Sequence, residues 1–128
     1  MPAGRGRPNG LFIGVNEALD PSNLSDLEKK HIPRITAPDV VRLGQRFELE
    51  VEVGKAIPHP SEHRHFIQCV DIYADDTFLA SVGFGAVTTP PVAKLCIVLH
   101  HRAKELRAYE RCNLHGTWVG RRAITVNQ

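Results

Sequence analysis

The stretch Gln45-Arg46-Phe47-Glu48-Leu49-Glu50-Val51-Glu52-Val53-Gly54 alternates apolar and acidic side chains over most of its length. Successive side chains of a β-strand point to opposite faces of the sheet, so a period of two predicts a strand with one face buried and the other in water. We therefore expect a β-strand between residues 45 and 54 that packs on an apolar core.

Further short apolar runs flank this stretch, separated by the Gly, Pro, Asp or charged residues that are typical of turns. The following runs are predicted as strands: Arg34 to Thr36, His65 to Tyr73, Thr77 to Phe84, Ala93 to Leu99, Glu105 to Glu110 and Ala123 to Asn127. About seven short strands, with little sequence left for helices, predict an all-β fold of the immunoglobulin-like β-sandwich type.

The segment before these strands has a different character. Ser25 and Glu28 have the Ser-x-x-Glu spacing of a capping box, so we expect a short N-terminal helical turn that ends before Pro33. Residues 1–23 show no clear periodicity and begin with a run rich in Gly, Pro and Arg. They predict a flexible N-terminal extension followed by one domain over residues 24–128.

Length and composition limit the class of protein. A chain of 128 residues fits one domain, and its net charge of +2 is too small for the basic face that nucleic acids require. There is no apolar run near the roughly 20 residues that cross a bilayer, and no signal peptide at the N-terminus. Three cysteines without a Cys-x-x-Cys pair argue against a disulfide framework. These features predict a cytoplasmic protein without a membrane or nucleic-acid partner.

Metal-capable side chains occur near the ends of predicted strands or in loops: His31, His59, His65 and the pair Cys112 and His115. Any one histidine, taken alone, is more often a surface or a satisfied core residue. Imidazole and thiolate together suit zinc, copper or iron, whereas a carboxylate-rich set would suit calcium or magnesium. The set as a whole therefore predicts a transition-metal site.

The residues alone argue against two common kinds of site. A blue-copper centre normally has a weak axial methionine downstream of its cysteine, and the sole methionine is Met1. A structural zinc site is usually closed by four Cys or His ligands in paired motifs, which five candidates with one thiolate fit poorly.

Three stretches around these residues carry a more specific signal: Lys30-His31-Ile32-Pro33, then Val53 to Pro60 running on to Glu62 and His65-Phe66-Ile67, and Cys112-Asn113-Leu114-His115-Gly116-Thr117-Trp118. In these stretches the sequence resembles the superoxide reductases, the family of neelaredoxin and of the catalytic domain of desulfoferrodoxin. With the strands between them, the resemblance covers about residues 24 to 127.

The resemblance implies an enzyme that reduces superoxide to hydrogen peroxide at a single non-haem iron. It implies a square-pyramidal site with four equatorial nitrogen ligands, one axial sulfur ligand and one open position for superoxide. The implied ligands are His31, His59, His65, His115 and Cys112.

Other roles also follow from the resemblance. Lys30 matches a lysine that attracts superoxide, and Trp118 matches an aromatic residue beside the iron. The electrons are expected from a separate small donor protein such as rubredoxin, because no cysteine-rich accessory iron domain precedes the core. The family also implies a homo-oligomer, either a dimer or a tetramer.

The chain departs from the family at one position. Many members have a glutamate directly before the lysine, which becomes a sixth ligand of oxidised iron, whereas Lys29 stands there in this chain. Glu28 lies one residue earlier and is already explained as the acid of the capping box. We therefore assign no carboxylate to the metal.

The remaining histidines and cysteines match no motif. His63, His100 and His101 are interpreted as exposed residues, and Cys69 and Cys96 as buried apolar residues within strands. The alternative function is a non-catalytic metal-binding or electron-transfer β-sandwich, and beyond that an immunoglobulin-like interaction module. An interaction module does not need this ligand set, and an electron carrier gains nothing from an open coordination position.

Overall fold

The computed structural model describes residues 10–128. In chain order, the elements of this part are β1 (Val15–Asn16), α1 (Asp26–His31), β2 (Arg34–Thr36), β3 (Val40–Arg42), β4 (Arg46–Glu52), β5 (Ile67–Ala74), β6 (Thr77–Gly83), β7 (Val92–Val98), β8 (Glu105–Cys112), β9 (Gly116–Ala123) and β10 (Thr125–Asn127). The predicted all-β class is confirmed, and so is the short helical turn.

The strands form a five-stranded sheet in the order β1-β9-β8-β5-β6, a three-stranded sheet β2-β4-β7 and a two-stranded pair β10-β3. Side chains from the two larger sheets share one apolar cluster, in which Val51, Val70, Ile72, Leu106 and Ala108 are fully buried. Burying each large aliphatic side chain contributes about 1.5–3 kcal/mol. The core thus lies between the sheets. Of the metal-capable residues, Cys112 ends β8, His31 ends α1, and the other three lie in the loops.

Strand β4 confirms the prediction from the alternating segment. Phe47, Leu49 and Val51 are buried, whereas Glu48 is exposed. Strand β4 pairs antiparallel with β7 along its whole length and with β2 over three residues. The apolar set of β4 therefore faces the core, and the acidic set faces solvent.

Three strands of the described part were not predicted. Strands β1 and β3 are too short to show a period, and β9 contains two glycines and two arginines that break the alternation. At Gly120 a Cβ atom would lie 1.8 Å from the carbonyl oxygen of Pro33, so only glycine allows this close approach. Gly120 thus interrupts the alternating pattern of β9, and it also lets β9 pack against the chain that follows α1.

Strand β1 lies within the predicted N-terminal extension. Residues 1–9 of that extension lie outside the described residues, but β1 pairs in parallel with β9. The Asn16 side chain strengthens the pairing, since Nδ2 donates to the carbonyl oxygens of Leu11 at 2.8 Å and of Thr117 at 2.9 Å. The domain boundary at residue 23 stays a prediction.

The prediction for Cys96 is wrong, because the residue is exposed. Ala93 and Ile97 of β7 face the core, and alternation turns Cys96 to the opposite, solvent side. Cys69 is partly buried, beside the fully buried Val70. No helical segment within residues 10–128 has the length and apolar character needed to cross a membrane.

Candidate metal centre

Helix α1 presents His31 at its last residue. Its N-cap is Ser25, whose hydroxyl accepts a hydrogen bond from the Glu28 N–H, so the predicted capping box is present. The His31 Nδ1 donates to the Leu27 carbonyl oxygen at 2.8 Å, which leaves Nε2 to act as a ligand. The ring also stacks on Trp118, with 5.1 Å between centroids. The helix end and the tryptophan together fix the ring.

Glu28 has a structural role, as the sequence analysis proposed. It is 2% exposed, and its carboxylate accepts hydrogen bonds from the backbone N–H groups of Ser25 at 2.8 Å and Leu19 at 3.1 Å. The carboxylate therefore joins the start of α1 to the N-terminal segment. It is absent from the group of metal-capable side chains found in the described residues.

The loop between β4 and β5 carries His59 and His65. Gly54 has a φ of +81°, and a Cβ atom there would lie 2.6 Å from the His59 backbone nitrogen, so the loop folds back closely on itself. The His59 Nδ1 donates to the Pro60 carbonyl oxygen at 2.7 Å, so Nε2 is the ring nitrogen that can bind a metal. His65 forms an isolated antiparallel bridge with Glu62.

Strand β8 ends at Cys112, and the turn into β9 carries His115. The Cys112 side chain is fully buried, and the backbone N–H groups of Leu114 and His115 donate to its sulfur. The Trp118 Nε1 donates to the His115 carbonyl oxygen at 2.9 Å. The turn thus holds the thiol and the last imidazole on the same side as the Trp118 ring.

All five predicted ligand residues meet at one place. Their potential ligand atoms all lie within 4.8 Å of one another. The four imidazoles form a closed circle, because each ring contacts two others at centroid distances of 4.6–5.0 Å in the order His31, His59, His65, His115. The Cys112 sulfur lies 3.4 Å from His59 Nε2 and 3.7 Å from His115 Nδ1.

The donor atoms fit a transition-metal ion. The Nε2 atoms of His31 and His65 are buried without a hydrogen-bond partner in the described part of the chain. Buried polar atoms nearly always have a hydrogen-bond partner, so two ring nitrogens without one that face the same centre fit a place where a metal ion binds. Imidazole nitrogens and a thiolate are the donors that iron, copper or zinc prefer.

The electrostatics of the site favour uncharged donor groups. Burial, together with the neighbouring imidazoles, lowers the pKa of His31 and of His59 to about 4. Burial also raises the pKa of the Cys112 thiol, against the two N–H groups that stabilise its thiolate. Lys30 is half-buried, and its positive charge contributes to the lowered pKa of His59 and of His115. A bound cation would offset the free-energy cost of burying these donor groups away from water.

The family model for desulfoferrodoxin matches residues 23–121. The chain belongs to the desulfoferrodoxin family. A protein of Methanocaldococcus jannaschii described as a putative superoxide reductase is 39% identical over 110 residues, which cover 84% of this chain and 90% of the relative. A superoxide reductase of Pyrococcus abyssi is 34% identical, covering 70% and 83% of the two chains.

Solved structures agree with this desulfoferrodoxin-family assignment. The superoxide reductase (neelaredoxin) of Ignicoccus hospitalis is 33% identical, with a TM-score of 0.68 over 76% of this chain and 81% of that one. The superoxide reductase of Nanoarchaeum equitans is 30% identical, with a TM-score of 0.65 over 75% and 94%.

The other predicted residues of this desulfoferrodoxin-family chain lie outside the group. His63 and His100 are exposed and His101 is half-buried, and none belongs to the cluster. Gly54 and Asn113 lie within the motifs but had no predicted role. The signal for Gly54 was its place in a turn before a histidine, and Asn113 had no signal beyond lying between two predicted ligands.

Proposed function

We propose that this chain is a superoxide reductase, which reduces superoxide by one electron to hydrogen peroxide. The observation that carries the proposal is the circle of four imidazoles with one buried thiol against it. The names of the relatives support the same activity. A protein-interaction module would not bury two unsatisfied ring nitrogens at one point.

The proposed cofactor is a single non-haem iron bound by His31, His59, His65, His115 and Cys112. In the described residues the cluster contains no carboxylate, which disfavours magnesium and calcium. It has one more ligand than a closed structural zinc site. When bound, ferrous iron supplies one electron to superoxide, which takes up two protons and becomes hydrogen peroxide.

The protein side chains prepare the site for this reaction. The N–H groups of Leu114 and His115 stabilise negative charge on the Cys112 sulfur and moderate its electron donation. The fully buried Trp118 excludes water from one face of His31. Together, these N–H groups and Trp118 hold the proposed ligands in one arrangement in both oxidation states of the iron.

Lys30 is proposed as the residue that attracts superoxide. It precedes His31 at the end of α1, and its charge acts on two of the cluster imidazoles. Positive charge at the mouth of a site raises the encounter rate with a small anion. Lys29 is the preceding residue on the helix and adds a second positive charge where a carboxylate would have opposed it.

The proposed setting of the reaction is the cytoplasm. Electrons come from a separate small electron-carrier protein such as rubredoxin, and the chain forms a homo-oligomer, either a dimer or a tetramer. Size-exclusion chromatography with light scattering measures the assembly, and reduction by purified carrier proteins identifies the donor.

Iron content, colour and superoxide decay test the proposal together. The oxidised protein should contain about one iron per chain and show a sulfur-to-iron absorption band. Cys112→Ser should abolish the band, and the wild type should accelerate the decay of pulse-generated superoxide while forming peroxide. A colourless protein that carries zinc and cannot be reconstituted with iron would refute the proposed enzyme.

A further inference from the structure

Asn113 joins two segments that carry candidate ligands. Its Nδ2 donates to the Arg64 carbonyl oxygen at 2.8 Å, and its Oδ1 accepts from the Phe66 N–H at 2.9 Å. Its backbone N–H donates to the Phe66 carbonyl oxygen at 3.3 Å. One residue therefore holds both chain neighbours of His65, and it does so from the position directly after Cys112.

The His65 segment has few other attachments at this edge of the sheet. The pairing of β5 with β8 ends at Ile67 and Cys112, and it is irregular between Ile67 and Cys69. The His65 backbone N–H and carbonyl group are already used by Glu62, at 3.1 and 2.9 Å. Among the described residues, Asn113 makes all the hydrogen bonds that join residues 62–66 to the Cys112–His115 segment.

The segment is also open to solvent, which makes these bonds important. Glu62, His63 and Arg64 are exposed, so little apolar burial holds the chain that leads into His65. Exposed segments with few buried contacts open locally at low free energy. Without Asn113, the imidazole of His65 would sample positions away from the other donors.

We propose that Asn113 is a positioning residue that holds the His65 imidazole at binding distance from the other ligands before the metal arrives. The inference rests on the proposed metal centre and deepens it. Asn113 does not contact the metal; it acts through the backbone on both sides of His65. Residues that orient ligands in this way set metal affinity, because an unordered ligand must be ordered on binding.

The test compares Asn113→Ala with a matched control, Asn16→Ala. Asn16 also donates from its side chain to two backbone carbonyl groups, but those groups belong to Leu11 and Thr117 and not to the His65 segment. Affinity is measured by competition between the full-length protein and a chelator for Co²⁺. Asn113→Ala should bind Co²⁺ about 10- to 100-fold more weakly, and Asn16→Ala should bind it as the wild type does.

Limited trypsin digestion of the metal-free, full-length protein gives a readout independent of the metal. Trypsin cleaves after Arg64, and the carbonyl oxygen of this peptide bond accepts a hydrogen bond from the Asn113 side chain. Cleavage there should be at least about tenfold faster in Asn113→Ala, since the local opening that trypsin requires is no longer opposed. Asn16→Ala should leave the rate of cleavage after Arg64 unchanged, even if it lowers the urea midpoint as much as Asn113→Ala does.

A double variant separates failure of this inference from failure of the proposed centre. With His65→Ala in place, adding Asn113→Ala should cause no further loss of Co²⁺ affinity, because the effect passes through His65. If His65→Ala weakens binding but Asn113→Ala does not, the positioning role is refuted and the centre stands. If His65→Ala leaves affinity unchanged, the ligand assignment fails and the positioning role fails with it.

Discussion

The metal-free protein should be most stable near pH 6.5 and lose stability on both sides. On the acid side, His31 and His59 have a pKa of about 4 in the folded protein. The ordinary value in an unfolded chain is about 6.5. Between these values the unfolded chain binds protons that the folded protein does not, so the free energy of unfolding decreases as the pH falls.

On the alkaline side the controlling group is Glu110. It is 1% exposed, its carboxylate oxygens have no hydrogen-bond partner in the described residues, and burial raises its pKa to about 9. The folded protein therefore keeps a proton that the unfolded chain has lost above about pH 4.3. This contribution to stability is lost as the pH rises toward 9.

The magnitudes follow from proton linkage. Each group changes the free energy of unfolding by about 1.4 kcal/mol per pH unit within its range. From pH 6.5 down to 4, His31 and His59 act against one carboxyl group, which leaves a net loss of about 1.4 kcal/mol per unit. The lowered pKa of His115 acts in the same direction as those of His31 and His59 and adds to this loss. From pH 6.5 up to 9, Glu110 alone gives a loss of about the same slope. Over two pH units on either side, the loss is about 2.8 kcal/mol. That is roughly a fifth to a half of the free energy of unfolding of a typical domain, which is roughly 5–15 kcal/mol.

Urea unfolding at intervals from pH 4.5 to pH 8.5, followed by circular dichroism, measures both slopes on chelator-treated protein. Glu110→Gln should flatten the alkaline limb and steepen the acid limb, whereas the double variant His31→Gln, His59→Gln should remove most of the loss of stability on the acid side. Iron-loaded protein should resist acid until the metal is released, because bound ligands are unprotonated. A midpoint that is constant across this range, or unchanged slopes in both variants, would refute the reasoning.

Three further predictions concern single positions. Gly120→Ala should destabilise the protein by about 1–3 kcal/mol and lower iron content, because its Cβ would collide with the Pro33 carbonyl, while Gly83→Ala, with open space around it, should not; urea unfolding and metal analysis check this. Lys30→Ala should slow the second-order reaction with superoxide and flatten its salt dependence at unchanged iron content, and equal rates at all ionic strengths would assign this lysine to the surface. Glu28→Ala should cost about 0.5–2 kcal/mol yet leave the oxidised spectrum and its pH dependence unaltered, and a shifted band would show instead that this carboxylate binds iron.

The sequence revealed those parts of the molecule that a local rule controls. The alternation around Leu49 defined β4, and the Ser25 spacing defined α1, because both signals depend on neighbours within a few residues. The five candidate ligand residues were identified through motifs, although residue chemistry alone left the identity of the metal open. Their meeting at one point needed the fold.

What the sequence did not reveal depends on long-range contacts. Strand β9 was not predicted because Gly120 interrupts its pattern. The glycine is required by the close approach of Pro33, which lies far away in the sequence. Cys96 was assigned to the core because its neighbours are apolar, whereas the sheet register turns it outward. The role proposed for Asn113 rests on its hydrogen bonds to residues 64 and 66, which are distant in the sequence and adjacent only in the fold.

The candidate ligands come from α1, from the loop between β4 and β5 and from the last β-hairpin, and this order has a consequence for how the protein is made. A chain grows at about 5–20 residues per second, so several seconds separate the synthesis of His31 from that of His115. During that interval the three upstream histidines exist without the thiol, and copper or zinc bind such nitrogen donors more tightly than ferrous iron does. The complete set of five donors therefore exists only after the last β-hairpin has been synthesised.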